Sequence, residues 1–296
     1  MSRTDRVPSA RAGGADIRER LLMGMPVRER WLMLAGQRTA VLEGGAGAPV
    51  VLLHGAGEFA PNWMRVIPDL ARGHRVIAPD LPGHGASELA GEPLDARRVV
   101  AWLSELIART CPSPPALVGH LLGGAIAARL AIDHPDSIRR LVLVDTYGLG
   151  RFWPTPRYAL AMLAFVARPT EGTQERLYRQ CLVDLDGLRE QLGERGHALE
   201  AYALDRARAP AANAALKHLM PQLGVPAIPA ADLARIAVPT TLIWGRHDRQ
   251  VRLGQAQSAS ARYGWPLHVI EDAADDPAFE QPDAFLRVLR GVLGRA

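Results

Sequence analysis

Short apolar runs alternate with stretches of helical periodicity along most of the chain. Pro49–Leu53, His74–Ala78, Ala116–Gly119, Leu141–Val144, Thr240–Trp244 and Leu267–Ile270 are too short for helices and end in Gly, Pro or polar residues. Near-continuous apolar runs of that length are expected of strands buried on both faces. Between them, Asn62–Arg72, Asp95–Thr110, Leu122–Asp133, Leu253–Tyr263 and Pro282–Leu293 repeat apolar residues at helical intervals, with Asp95 placed to cap the second of these. Upstream, two β-prone runs from Trp31 to Glu43 flank Ala35-Gly36-Gln37 and predict a hairpin. Strands alternating with helices in this order predict an α/β architecture with a mostly parallel, doubly wound sheet. Ligands are expected at the carboxyl ends of its strands.

The rhythm breaks between Tyr147 and Leu233, where only helical stretches occur, among them Arg157–Ala167 and Gln174–Leu192. This segment reads as a helical lid, residues 147–233, inserted after the sixth strand. Residues 27–146 and 234–296 then form the core. Residues 1–26 form an N-terminal arm, of which the first 16 or so show no apolar period and suit a floppy leader or an arm packed in a dimer. The core helix Leu122–Asp133 starts at a pattern of its own. In Gly119-His120-Leu121-Leu122-Gly123, small residues stand two places either side of Leu121, between an apolar strand and an Ala-rich helix. That is the spacing of a strand-to-helix elbow that holds one strained residue above a sheet. An aliphatic side chain at its apex cannot attack a carbonyl.

Composition narrows the function classes. The 48% apolar and 22% charged shares are those of a globular protein. The net charge of +4 comes from arginines scattered along the chain, Lys217 being the sole lysine, so no clustered phosphate-binding patch is present and a nucleic-acid partner is not expected. Cys111 and Cys181 are too few for a disulfide framework and lack metal-ligand spacing. No apolar run approaches the roughly 18 residues of a membrane span, and the N-terminus lacks a signal-peptide core. The expectation is a cytoplasmic protein, monomer or homodimer, acting on a small molecule without metal, cofactor or membrane partner.

His54-Gly55-x-Gly57, Asp80-Leu81-Pro82-Gly83-His84-Gly85-x-Ser87, the elbow and Trp244-Gly245-x-x-Asp248 occur in one order over residues 27 to 293. Together they resemble the lidded branch of the α/β-hydrolase superfamily, which includes esterases, haloalkane dehalogenases, epoxide hydrolases and carbon–carbon bond hydrolases. The resemblance implies that Asp248 is the acid orienting a catalytic histidine and that Leu121 stands where the family has Ser, Asp or Cys. It also implies that Asp275 holds the histidine's place, because Pro277, Glu280 and Pro282 keep register with the family's Gly-His-x-Pro-x-x-Glu-x-Pro stretch. Two of three triad members are thus absent, which argues against an acyl-enzyme.

The carboxyls of Asp248 and Asp275 are then expected to lie close enough to share a proton, raising one pKa and providing acid/base chemistry. Backbone N–H groups of Ala56 and Leu122 are the candidate oxyanion-type donors. Leu121, His120, Gly55, Tyr147 and Trp153 are the candidate elbow and pocket residues. His120 is expected to point into packing, and Tyr147, Arg151 and Trp153 to lie at the lid hinge. Three readings follow. The first is a non-hydrolytic cyclase, dehydratase, isomerase or carbon–carbon lyase acting on an apolar oxygenated molecule, as in bacterial specialised metabolism. The second is an inactive ligand-binding or scaffold protein. The third is a hydrolase with a relocated nucleophile (Ser87, Cys181 or Thr146, with His120, His54, His84 or His247 as base).

Overall fold

The computed structural model describes residues 10–90 and 94–294. Its centre is an eight-stranded sheet in the order β1-β2-β4-β3-β5-β6-β7-β8. β1 (Arg28–Leu34) and β2 (Gln37–Gly44) form the expected hairpin, and β2 also runs antiparallel to β4 (His74–Pro79). From β4 onward, β3 (Ala48–Leu53), β5 (Ala116–His120), β6 (Arg140–Val144), β7 (Thr240–Gly245) and β8 (Leu267–Ile270) are all parallel. Every residue of β5 and β7 is buried, which is why these strands read as unbroken apolar runs.

Helices cover both faces and divide the interior into two apolar layers. α1 (Ala10–Leu22) precedes the hairpin. The stretch from Asn62 to Arg72 is not one helix but a 3₁₀ turn, Ala60–Arg65, followed by α2 (Ile67–Leu70), because Pro68 at the start of α2 has no N–H to continue the first turn. α3 (Ala96–Thr110) begins at Asp95, whose carboxylate accepts the Arg98 N–H at 2.8 Å. α4 (Leu121–Asp133) follows β5 without a loop.

Between β6 and β7 lie α5 (Pro156–Ala167), α6 (Glu171–Cys181), α7 (Leu185–Leu192), α8 (Glu194–Arg208), α9 (Pro210–Leu219) and α10 (Ala230–Leu233), with no strand among them. The stretch Gln174–Leu192, expected as one helix, breaks after Cys181, where the Asp184 side chain caps a new helix by accepting the Gly187 N–H. α11 (Leu253–Tyr263), α12 (Pro277–Glu280) and α13 (Pro282–Leu293) complete the core. Among the described residues no helix is long and apolar enough to cross a membrane.

Residues 1–9 of the expected leader lie outside the described residues; from Ala10 onward the chain is helical rather than floppy. Leu21 of α1 is fully buried, and Arg18 forms ion pairs with Asp80 at 2.8 Å and Glu29 at 2.7 Å. Asp80 also accepts the N–H groups of Ala60 at 2.6 Å and Ala86 at 2.7 Å, so one buried carboxylate ties α1, the β3 loop and the β4 loop together. Asp80→Ala removes the counter-charge and strands two amides. It is expected to lower unfolding free energy by about 3 kcal/mol, the low end for a broken buried pair because Glu29 still faces Arg18. Urea titration of both proteins measures the loss.

Candidate active site

The elbow forms where β5 turns directly into α4. Leu121 takes φ 44°, a left-handed conformation that aliphatic residues rarely adopt, and its side chain is buried. The turn closes because the helix start packs against neighbouring strands with no room for side chains. A Cβ added at Gly124 would lie 1.4 Å from the Thr146 hydroxyl oxygen. That approach brings the end of β6 beside the apex, and the Tyr147 N–H donates to the Leu121 carbonyl at 3.2 Å.

Three carboxyls converge here from three strand ends. Asp145, directly after β6, is fully buried, adopts φ 41° and accepts the Gly245 N–H at 3.0 Å. Asp248, in the turn after β7, is 7% exposed, and its Oδ1 accepts the N–H groups of Gln250 at 2.6 Å and Val251 at 2.8 Å. Asp275, in the loop after β8, is 6% exposed and donates its N–H to the Cys181 carbonyl at 3.2 Å. A Cβ at Gly245 would lie 1.7 Å from the Ala274 carbonyl oxygen, so only glycine lets the β7 and β8 ends approach this closely.

Burial pushes all three carboxyls up. Asp145 rises well above the usual carboxylate range through burial, then repulsion by Asp248; Asp275 rises for the same two reasons. Asp248 is pushed up to about 7 by burial, while the Val251 and Gln250 amides and a hydrogen bond with Asp145 restrain it. Asp248 is thus coupled most directly to Asp145, and its negative charge in turn helps hold the proton on Asp275. The expected pair Asp248–Asp275 is in fact a cluster of three. Asp145 carried a readable signal, an acid at the end of a buried strand like Asp248, that the sequence reading left unused.

Tyr147 is buried, accepts a hydrogen bond from Gln250 Nε2 at 2.6 Å, and has a phenol kept protonated by burial and by the nearby charges of Asp275 and Asp248. It belongs to the cluster rather than to a hinge surface. Trp153 does not: it is 58% exposed, with the Arg151 guanidinium stacked over its ring at 4.7 Å. Pro156, three residues on, is the first residue of α5.

Ala56 is half-buried in the loop after β3. Leu122 is the second residue of α4, so its N–H has no intrahelical acceptor and stays available at the site. Gly55 lies in the same loop as Ala56, and its N–H is taken by the Glu58 carboxylate at 2.6 Å.

His120 packs edge-on against Trp63, as expected, but it also carries charge. Its Nδ1 faces Glu58 Oε2 at 3.1 Å and its Nε2 faces the Asp275 carbonyl at 2.5 Å. Both acceptors lack a proton to give, so both ring nitrogens donate and the ring is an imidazolium. Its pKa is pushed up to about 10: burial opposes the charge, but Glu58 and Asp276 outweigh it. Conversely, burial raises Glu58, yet the His120 charge brings it below its usual value; burial lifts Asp276 to about 7. Glu58, His120 and Asp276 bring ligand-type atoms within 4.8 Å of one another. With both nitrogens protonated, however, His120 has no lone pair for a metal, and the set is a His120–Glu58 ion pair with Asp276 close by.

Of the alternative nucleophiles, Thr146 has its Oγ1 buried without a hydrogen-bond partner and so without a base. Ser87 donates to the Asp80 carbonyl at 2.8 Å and accepts the Ala40 N–H. His54 Nε2 accepts the Leu81 N–H at 2.9 Å, His84 is lowered to about 4 by burial, and His247 is exposed. The Cys181 thiol meets Asp275, but burial and that carboxylate raise its pKa well above the usual thiol range, so it is an S–H donor rather than a thiolate.

Residues 50–288 match the profile of the alpha/beta hydrolase family. The chain belongs to that family. It is 28% identical over 260 residues to a pimeloyl-[acyl-carrier protein] methyl ester esterase of Aeromonas hydrophila, covering 84% of this chain and 97% of the relative. It is 32% identical over 232 residues to a 2-hydroxymuconate semialdehyde hydrolase of a Pseudomonas, covering 76% and 78%. Among solved structures, a 2-hydroxy-6-oxo-6-phenylhexa-2,4-dienoate hydrolase from a Rhodococcus superposes with a TM-score of 0.76 at 25% identity, over 90% of this chain and 98% of that one.

Proposed function

We propose that this alpha/beta hydrolase family member is a non-hydrolytic enzyme that moves protons on an apolar, oxygenated small molecule through Asp248 and Asp275. The observation that carries the reading is the carboxyl of Asp248. It is buried beside two further carboxyls at the carboxyl ends of the strands and poised at about 7, under an apex occupied by hydrocarbon.

Leu121 replaces the family's nucleophile and Asp275 its histidine, so the triad is degenerate and no acyl-enzyme forms. The Ala56 and Leu122 amides polarise a substrate carbonyl. Asp248 removes the proton on the adjacent carbon. For dehydration, Asp275, held protonated, gives its proton to the departing β-hydroxyl and water leaves; for carbon–carbon cleavage Asp248 instead takes the β-hydroxyl proton, the bond breaks to a carbonyl and an enolate, and Asp275 protonates the enolate carbon. Asp145, protonated and bonded to Asp248, positions that carboxylate. The Tyr147 hydroxyl, already accepting from Gln250, donates to a substrate oxygen. Helices α5–α9 serve as the lid that excludes water, consistent with the full burial of Tyr147 and Tyr158.

The test uses a panel of alkyl and aryl β-hydroxy ketones incubated with the protein in D₂O and read by NMR. Deuterium next to the carbonyl, together with dehydration or cleavage, is expected, whereas 4-nitrophenyl esters stay intact. Absence of both exchange and product across the panel, with tight binding of a member, would assign the site to ligand binding instead. Ester hydrolysis lost in Cys181→Ala would restore the relocated-nucleophile reading.

A further inference from the structure

Helix α5 is amphipathic in an unusual sense, because its apolar residues also face outward. Leu160, Leu163 and Val166 are 69%, 65% and 57% exposed. Spaced three apart, they form a stripe on the face opposite Tyr158, which is buried next to the carboxyl cluster. Large aliphatic side chains held in water at this density mark a surface that meets something apolar.

Within the segment that carries the stripe the charges are of one sign, the first acid beyond it being Glu171 at the start of α6. From Thr146 to Thr170 the chain carries Arg151, Arg157 and Arg168 and no acidic residue. All three arginines are exposed. Arg151 stacks on the exposed Trp153 just before the helix, a pairing suited to the boundary between water and hydrocarbon.

We propose that the outer face of α5, with the Arg151–Trp153 pair, docks the protein onto an anionic lipid bilayer. Leu160, Leu163 and Val166 enter the acyl boundary while the arginines meet the headgroups. A second copy of the chain fits less well. Two α5 helices packed antiparallel across Leu163 would bring Arg157 of one copy toward Arg168 of the other, with no acid in the stretch to offset them. A bilayer also needs no groove, which suits a convex helix face. This contact is peripheral and departs from the sequence expectation of no membrane partner; it does not depend on the chemistry proposed for the carboxyls.

Cosedimentation of the full chain with vesicles of phosphatidylglycerol, or of phosphatidylcholine alone, tests it. At low salt at least tenfold stronger partitioning onto phosphatidylglycerol is expected. The doubly substituted Leu160→Ser, Leu163→Ser protein should lose at least tenfold on phosphatidylglycerol, and Arg157→Gln with Arg168→Gln should narrow the preference over phosphatidylcholine. Because these positions are exposed, circular dichroism should be unchanged. Equal binding to both lipids, or no binding to either, overturns the proposal. A concentration-dependent dimer by sedimentation equilibrium, abolished by the same serine pair without any vesicle binding, assigns the face to self-association.

Discussion

Asp248→Asn is expected to lower turnover of a responsive β-hydroxy ketone by about 10²–10⁴-fold, the usual contribution of a positioned acid or base. The amide oxygen can still accept the Gln250 and Val251 N–H groups, so the turn after β7 keeps its geometry. What is lost is a group that titrates near neutrality. Asp275→Asn is expected to act as strongly, since the replaced carboxyl is the proton donor. Both variants remove one acid from a crowded buried cluster, so their stability above pH 7 should equal or exceed that of the parent protein. Initial rates by NMR, with urea midpoints at pH 7.5, separate the two effects. Unchanged turnover in both variants would eliminate the carboxyl cluster as the catalytic machinery.

Between pH 6.5 and 10 the protein is expected to lose about 5 kcal/mol of stability through His120 alone. The folded state raises this imidazole from 6.5 to about 10, so the stabilisation is complete below 6.5 and disappears as pH climbs through the folded value. The carboxyls of Asp248, Asp276 and Glu280, each raised to about 7, also favour the folded state at low pH, but their share is lost between about 4 and 7. Buried phenols and the Cys181 thiol begin to add to the loss only above about 8.5, where unfolded thiols ionise. Asp145 and Asp275, held well above the usual carboxylate range, add a loss of the same sign as pH rises, so the His120 share from pH 7 to 8.5 is read as the difference between parent and variant. Urea midpoints should fall across this window more steeply in the parent protein than in His120→Gln. That variant starts lower because Glu58 loses its counter-charge. A parent profile no steeper than the variant's from pH 7 to 8.5 would mean the ring is neutral.

The cost of holding an imidazolium inside the fold has a consequence for the site. His120 lies one residue from the apex, and its charge draws down the pKa values of Asp248, Asp275 and Asp276. Without that buried cation the carboxyl cluster would hold its protons to higher pH. The same ring holds the Asp275 loop by its backbone carbonyl, so position and charge are set by one side chain.

Local patterning was sufficient for the order of strands and helices and for the hairpin. It also located the elbow at Leu121, because strand burial, helix periodicity and glycine spacing are written within a few residues of where they act; the acids Asp248 and Asp275 came only from the resemblance to the α/β-hydrolase superfamily. Local patterning placed Trp153 in the pocket and residues 10–16 in a floppy leader or a dimer arm. The structure instead leaves Trp153 exposed beside Arg151, and holds α1 through Arg18 by the distant residues Asp80 and Tyr202. Glu58 and Asp276 carried no signal of their own, since an acid in a loop is ordinarily solvated; only their convergence on His120 makes them a cluster.

The chain alone thus determined the scaffold and an apex without a nucleophilic atom, since both follow from residue types at fixed short spacings. Only the tertiary structure decided that Asp145, Asp248 and Asp275 meet and that His120 is charged. A proton's free energy depends on burial and on neighbours more than a hundred residues away in the chain, and those exist only once the strand ends are brought together.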